Sequence, residues 1–326
     1  MDNGKADAWS AAWRVAAATS FAADGDRIEG PALEFWQRQA DAQPGWMVDL
    51  ACGNGALTWL FNELLNGDSP RSFITGVDLA DISPFKTLGR AIEDYPAIRF
   101  IGNTALERLP FGDACVDLAV SQYGIEYAEL PAAIAEVSRI LKPTARVAFI
   151  LHDREGALVQ GAIKPLADYR LILEQVEAPG IILELAQLCR EADGRPRSPV
   201  TAAAHRQLLA RLEQTSEAFT SLYRRNPDIH PVLVYKKKLN QAFGEAVKPA
   251  AERQFDVATF LAAARDAFLR NIQRVEHLED VAPDAEIRWQ LCRLLEQEGF
   301  RVTEMAPLHH AAGPVWGTTL TARRGG

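Results

Sequence analysis

The alternation of apolar and polar positions divides the chain into three regimes. At the start, Trp9, Trp13 and Phe21 punctuate an alanine-rich stretch that predicts a short helix and a loop packed on a larger body. Residues 31–41 then carry helical spacing, with Pro31 where proline suits the first turn. In the second regime, short apolar runs alternate with amphipathic stretches. Residues 46–50, 73–77, 98–101, 116–121 and 146–151 read as five buried strands, and 56–65, 84–94 and 130–141 as helices between them. Strands alternating with helices imply parallel pairing through right-handed crossovers, hence an open α/β sheet with helices on both faces.

The alternation stops after the fifth strand. Residues 155–282 show helical spacing only, at 166–176, 181–191, 201–223, 232–246 and 258–277, with breaks at Pro179-Gly180, 194–199 and Asn226-Pro227. A helix at 284–297 ends near Gly299, and two strands at 300–306 and 316–322 close the chain. The expected division is an N-terminal helical segment 1–43, a core 44–154, a large helical insertion 155–282, and a return to the core at 283–326.

Composition adds exclusions. In 326 residues, 48% are hydrophobic and 24% charged, as in ordinary globular chains rather than rods or disordered tracts. The net charge of −8 argues against non-specific nucleic-acid binding. Cys52, Cys115, Cys189 and Cys292 are widely spaced, which argues against a zinc knuckle or a disulfide framework and fits a reducing compartment. The most apolar N-terminal stretch is too short to span a membrane and lacks the plan of a signal peptide. The expectation is a soluble cytoplasmic protein with no membrane partner.

The chemistry concentrates after the first strand, in Val48-Asp49-Leu50-Ala51-Cys52-Gly53-Asn54-Gly55. Two glycines let a ligand approach the backbone, and the next helix offers its N-terminal amides. Asp78 ends the second strand, where a carboxylate is placed to accept both hydroxyls of a ribose. A dinucleotide fingerprint needs a third small residue, and that position holds Thr58. Asp49 suits a ligand bearing an ammonium and a sulfonium better than a pyrophosphate.

This stretch resembles the first motif of class I S-adenosylmethionine-dependent methyltransferases. Leu109-Pro110-Phe111-Gly112-Asp113 with Cys115 to Ser121, and Glu136 to Pro143, resemble later segments of that family in the right order. The resemblance implies a Rossmann-like, mostly parallel seven-stranded sheet with an antiparallel last strand, and S-adenosylmethionine as cofactor. It implies that Asp49, Ala51, Gly53 and Gly55 line the methionine and ribose end. It places Asp78 on the ribose, Leu79 on the adenine, Ala105 and Leu106 at its border, and Ser121 and Gln122 near the methyl group. Family members often carry an acidic residue near position 105; here Asn103, Glu107 or backbone groups would take that contact.

In open α/β sheets, ligands bind beyond the carboxyl ends of the strands. Tyr123 and Glu126 follow the fourth strand, His152 the fifth, and His309 and His310 the sixth. Methyl transfer mainly needs alignment, with a base only for a protonated nucleophile. His152 is the first candidate base, His309 or His310 the second, with Tyr123 and Glu126 orienting the acceptor; no metal is expected. The insertion emerges beside this edge and is expected to cap a small-molecule acceptor, with the Trp9, Trp13 and Phe21 segment completing the lid. Between Arg195 and Lys238 stand nine Lys or Arg against three Asp or Glu. That balance keeps RNA or protein methylation as an alternative. A homodimer through the insertion and a non-catalytic binding module are the other readings.

Overall fold

The computed structural model describes residues 3–14, 27–66, 71–175, 177–191, 199–225, 230–310 and 313–325. The chain divides into two units, Met1–Gly161 with His277–Gly326, and Ala162–Glu276. Phe21 and the expected breaks at 194–198 and 226–227 lie outside the described residues.

The first unit is built on one seven-stranded sheet in the order β3-β2-β1-β4-β5-β7-β6. Its strands are β1 (Trp46–Leu50), β2 (Phe73–Val77), β3 (Ile98–Ile101), β4 (Val116–Gln122), β5 (Leu141–Leu151), β6 (Phe300–His309) and β7 (Val315–Arg324). β1 to β5 pair in parallel, and β7 runs antiparallel to both β5 and β6. The expected fold class is therefore observed.

Side-chain alternation explains the two faces. Val48 and Leu50 point to one side, Met47 to the other, as a period of two requires. The first face meets α5 (Leu130–Ile140), which buries Ile134, Val137 and Ile140, and α12 (Ala285–Gln297), which buries Leu291 and Leu295. The second face meets α2 (Gly30–Ala40) through Phe35 and Trp36, and α3 (Ala56–Asn66) through Leu57, Phe61 and Leu65. These spacings of three and four residues put each apolar stripe on one side of its helix.

Several boundaries move. The helix expected at 84–94 is only α4 (Pro84–Thr87) and a 3-10 turn at Ile92–Asp94, because Gly89 adopts φ +63° between them. β5 begins directly at Leu141, and β6 and β7 extend beyond the expected ends. α6 (Ala157–Ile163) was not foreseen.

The second unit holds α7 (Leu166–Gln175), α8 (Ala178–Glu191), α9 (Pro199–Arg225), α10 (His230–Ala246) and most of α11 (Val257–Val281) around its own core of Tyr169, Ile172, Tyr235, Leu239 and Phe268. Pro179 and Gly180 do not break the chain but form the first turn of α8, where proline costs no hydrogen bond. Among the described residues, no helix is long and apolar enough to cross a membrane. α1 (Asn3–Trp13) belongs to the first unit.

Candidate active site

The turn after β1 is shaped by backbone that only special residues tolerate. Ala51, Gly53 and Gly55 all have positive φ, at 54°, 54° and 82°. Tyr123, just past β4, sits at φ 57°. Non-glycine residues held in the left-handed region mark sites whose geometry the surroundings impose. Both outliers stand at the carboxyl edge of the central strands.

Asp49 and Asp78 anchor this turn from below. Asp78 Oδ2 accepts the Gly53 N–H at 2.7 Å, and Oδ1 accepts the Ala80 N–H at 2.8 Å. Each oxygen keeps a second lone pair for a ligand hydroxyl. Asp49 Oδ2 accepts the Thr58 hydroxyl at 2.7 Å, which explains the residue that spoils the dinucleotide fingerprint. Burial raises the Asp49 pKa to about 7 and that of Asp78 to about 6, against the hydrogen bonds that lower them. Burial and these two carboxylates push the Cys52 thiol up, so it is no nucleophile.

A cleft of about 670 Å³, counting its mouth, opens at this edge. Ala51, Asp78, Leu79, Ala105, Leu106 and Tyr123, all singled out in the sequence, line it together with Glu107. The rest of the wall is aromatic: Trp9 and Trp13 of α1, Tyr127, and His277 near the end of α11. Trp9 stacks on Trp13 at 5.9 Å and meets Tyr127 edge-on at 5.4 Å. Tyr127 in turn meets His277 edge-on at 4.9 Å. The strap is fastened by the Asp81 N–H to Ser10 Oγ, at 3.0 Å, and by Asn54 Nδ2 to the Trp13 carbonyl, at 2.8 Å. The Trp13 indole lies so close over Gly53 that a Cβ there would meet it at 2.5 Å.

Other expected residues are brought near but not into the cleft. Ser121 Oγ donates to the Leu50 carbonyl and accepts the Ile125 N–H. Gln122 Oε1 accepts the Trp36 indole N–H at 2.6 Å. Their side chains fasten β4 to β1 and to α2 rather than line the cleft. His152 is buried behind the aromatic wall, its ring 4.6 Å from Tyr123 and 6.1 Å from Tyr127. Its Nδ1 is 2.7 Å from Glu126 Oε1, which also accepts the His152 backbone N–H. Burial and Glu126 push the Tyr123 phenol well above its ordinary pKa.

His309 and His310 are not brought to the cleft. They are exposed at the β6–β7 turn, with His309 Nδ1 3.2 Å from the Gly313 carbonyl and the His310 ring stacked on Trp316 at 4.2 Å. The reason is topological. β6 is the outermost strand, three positions from β4, or about 14 Å at the usual strand spacing.

Sequence reasoning placed Tyr127 only within the stretch that follows β4, without a role of its own, and missed His277 as a wall residue. His277 carried no signal, since only folding returns α11 to this edge.

The sheet order, the antiparallel β7, the glycine turn and Asp78 together define the fold of class I S-adenosylmethionine-dependent methyltransferases. Residues 47–144 match the family model described as a methyltransferase domain. Residues 47–144 thus form a methyltransferase domain, whose cofactor is S-adenosylmethionine. Similar solved structures include an S-adenosylmethionine-dependent methyltransferase from Mesorhizobium loti, 15% identical over 90% of this chain and 100% of that one, with a TM-score of 0.42. Another, from Aquifex aeolicus, is 11% identical over 89% and 88%, with a TM-score of 0.39. The 1,6-didemethyltoxoflavin-N1-methyltransferase of Burkholderia thailandensis, with bound 1,6-didemethyltoxoflavin and S-adenosylhomocysteine, is 10% identical over 90% and 77%, with a TM-score of 0.40. No curated protein sequence matches.

The residues present fit the cofactor. Asp78 is fixed by two backbone amides with lone pairs left that would suit ribose hydroxyls, and Leu79, Ala105 and Leu106 form an apolar border suited to a flat base. The faces of Trp and Tyr rings attract cations, as a sulfonium is.

Proposed function

We propose that the protein methylates a small-molecule acceptor held in the aromatic cleft. The observation that carries this reading is the lining, with Asp78 and the rings of Trp9, Trp13, Tyr123, Tyr127 and His277 around one opening. The cofactor, when bound, supplies an electrophilic methyl group. The chain's own residues do the rest. Asp78 holds the ribose, while Asp49 acts from beneath the loop, its charge favouring the ammonium of the methionine end. The aromatic wall excludes water, whose loss strengthens every electrostatic contact inside.

We place His277 as the base for a hydroxyl or ammonium nucleophile, because a neutral imidazole suits that role near pH 7 and His277 lines the cleft. His152 is then a positioning residue: Glu126 holds its ring, and its ring backs Tyr123. The helical insertion is proposed to select the acceptor, since the chain rejoins the first unit at His277. The basic stretch favours this reading over RNA. Arg211 is paired with Glu177 at 2.7 Å and Glu184 at 3.6 Å, and Lys238 lies over the Phe260 ring at 5.2 Å, so part of that charge is already engaged.

The test is calorimetric titration with S-adenosylmethionine, S-adenosylhomocysteine and NADH, followed by labelled-methyl transfer into pools of small molecules, RNA and protein. We expect binding of the two sulfur ligands and none of NADH, at least about tenfold weaker in Asp78→Ala, which loses charge-assisted hydrogen bonds. Label in RNA or protein alone would sink the small-molecule reading.

A further inference from the structure

A second cleft, of about 640 Å³, shares no residue with the first. Two of its lining residues, Arg146 and Arg323, belong to a row of arginines in register across three strands, whose third member, Arg301, stands exposed beside it. Arg146 of β5 stands opposite Arg323 of β7, and Arg323 stands opposite Arg301 of β6. Directly opposed residues project from the same face of a sheet. Arg146 alternates with Ala148 and Ile150, which pack with Phe35 and Trp36, so this is the face covered by α2. Arg38 of α2 lines the same cleft, with Thr303, Glu304 and Thr321. Arg146 lies five residues short of Leu151, about 17 Å along the strand from the carboxyl edge.

Like charges directly opposed destabilise a sheet. Nothing relieves them here: among the described residues, no carboxylate pairs with Arg146, Arg301 or Arg323. Arg146 is half-buried, with one hydrogen bond, to the Gln39 carbonyl at 3.2 Å. Burial and the charge of Arg323 lower its pKa. Arg324, the next residue, shows what a structural arginine looks like in this strand. It donates to the Ser138 and Leu141 carbonyls and to Ser138 Oγ, and lies over the Phe300 ring at 5.3 Å.

We propose that the row Arg146, Arg323 and Arg301, with Arg38, is a binding site for an oligophosphate group, as carried by pyrophosphate or a nucleoside di- or triphosphate. Neighbouring strands are about 4.8 Å apart, so the row spans about 10 Å. A single carboxylate is too short to meet all of it, whereas a chain of phosphoryl groups meets each guanidinium fork in turn. The hydroxyls of Thr303 and Thr321, 2.8 Å apart, stand beside the row. Two features oppose an anion: Glu304, 3.9 Å from Arg38, and the negative carboxyl end of α2. The three guanidiniums that line the cleft, with Arg301 beside them, outweigh one carboxylate and about half a helix-end charge. The site neither uses nor assumes the methyl-transfer reading.

The test is calorimetric titration with inorganic pyrophosphate and tripolyphosphate at low salt. Wild type is compared with Arg146→Gln, Arg323→Gln and, as a remote control on β3, Arg99→Gln. Circular dichroism checks folding, and Arg323→Gln keeps the test decisive if loss of the Arg146–Gln39 contact unfolds its variant. We expect saturable binding, tighter for tripolyphosphate, a dissociation constant raised at least about tenfold by either cleft substitution, and an unchanged Arg99→Gln. No saturable heat at millimolar ligand would overturn the proposal. So would binding that survives both substitutions. An RNA oligonucleotide bound at the row and not displaced by tripolyphosphate would instead make it a nucleic-acid surface, and overturn it as well.

Discussion

Asp49 and Asp78 are carboxylates held almost out of water, with side chains that accept rather than pair with a charge. Their folded pKa values, about 7 and about 6, lie above the ordinary 3.8. The folded protein therefore holds these protons more tightly than the unfolded chain. Their contribution to stability is whole below about pH 4 and is lost as the pH rises through the folded values. For Asp49 the loss is on the order of a few kcal/mol. The thermal midpoint of the ligand-free protein should therefore fall between about pH 4 and about pH 7 and level off above, and Asp49→Asn should flatten that slope. Ligand hydroxyls donated to Asp78 favour its ionised form. S-adenosylhomocysteine affinity should accordingly climb as the pH approaches about 6 and level off beyond, as calorimetry across pH would show. Trp36→Phe removes the indole donor from Gln122 while keeping most of the buried ring. We expect a loss of about 1 kcal/mol in urea unfolding, the usual net worth of a hydrogen bond, since Gln122 is only partly buried and water can replace the donor. At this scale, Asp78 and the glycines were legible in the sequence because their chemistry depends on a local turn. The Asp49–Thr58 bond was not, although it explains the one residue that departed from a familiar fingerprint.

The helical strap and the strand-end turns act as elements. Trp13 covers Gly53, and two hydrogen bonds hold α1 against the turn and the loop after β2. A ligand reaches that glycine only when the ring or the strap shifts. Trp13→Ala should thus speed S-adenosylhomocysteine association in stopped-flow fluorescence; an unchanged rate would mean that the ring does not gate the turn. Gly124 allows β4 to turn under β1, since a Cβ there would meet Ala51 Cβ at 2.7 Å and Ser121 Oγ at 3.0 Å. Overpacking of this kind costs about 1–3 kcal/mol, so Gly124→Ala should lower the unfolding midpoint and weaken ligand binding together. Strand cores were readable because buried parallel strands are short apolar runs. Their ends were less so: β5 starts at Leu141 and includes Lys142 and Pro143, which no apolar pattern marks.

At the scale of the whole molecule, each unit has its own apolar core, and the cleft residues all belong to the first. A ligand that binds one folded unit stabilises that unit by mass action. Scanning calorimetry should therefore resolve two transitions, of which S-adenosylhomocysteine raises only one; a single transition shifted as a whole would show that the units unfold together. The sequence by itself determined the α/β alternation and the glycine turn, because these depend on periodicity and on contacts across one turn, and its resemblance to a family implied the cofactor. Only the tertiary structure decided which titratable groups meet. Three histidines follow strands five and six in the sequence, yet sheet order leaves His309 and His310 on the outer strand and puts His152 behind Tyr123. His277 reaches the cleft from far along the chain, and three arginines on separate strands come into register. Such pairings depend on strand order and register, which are set by the packing of distant apolar faces and leave no mark on the residues they bring together.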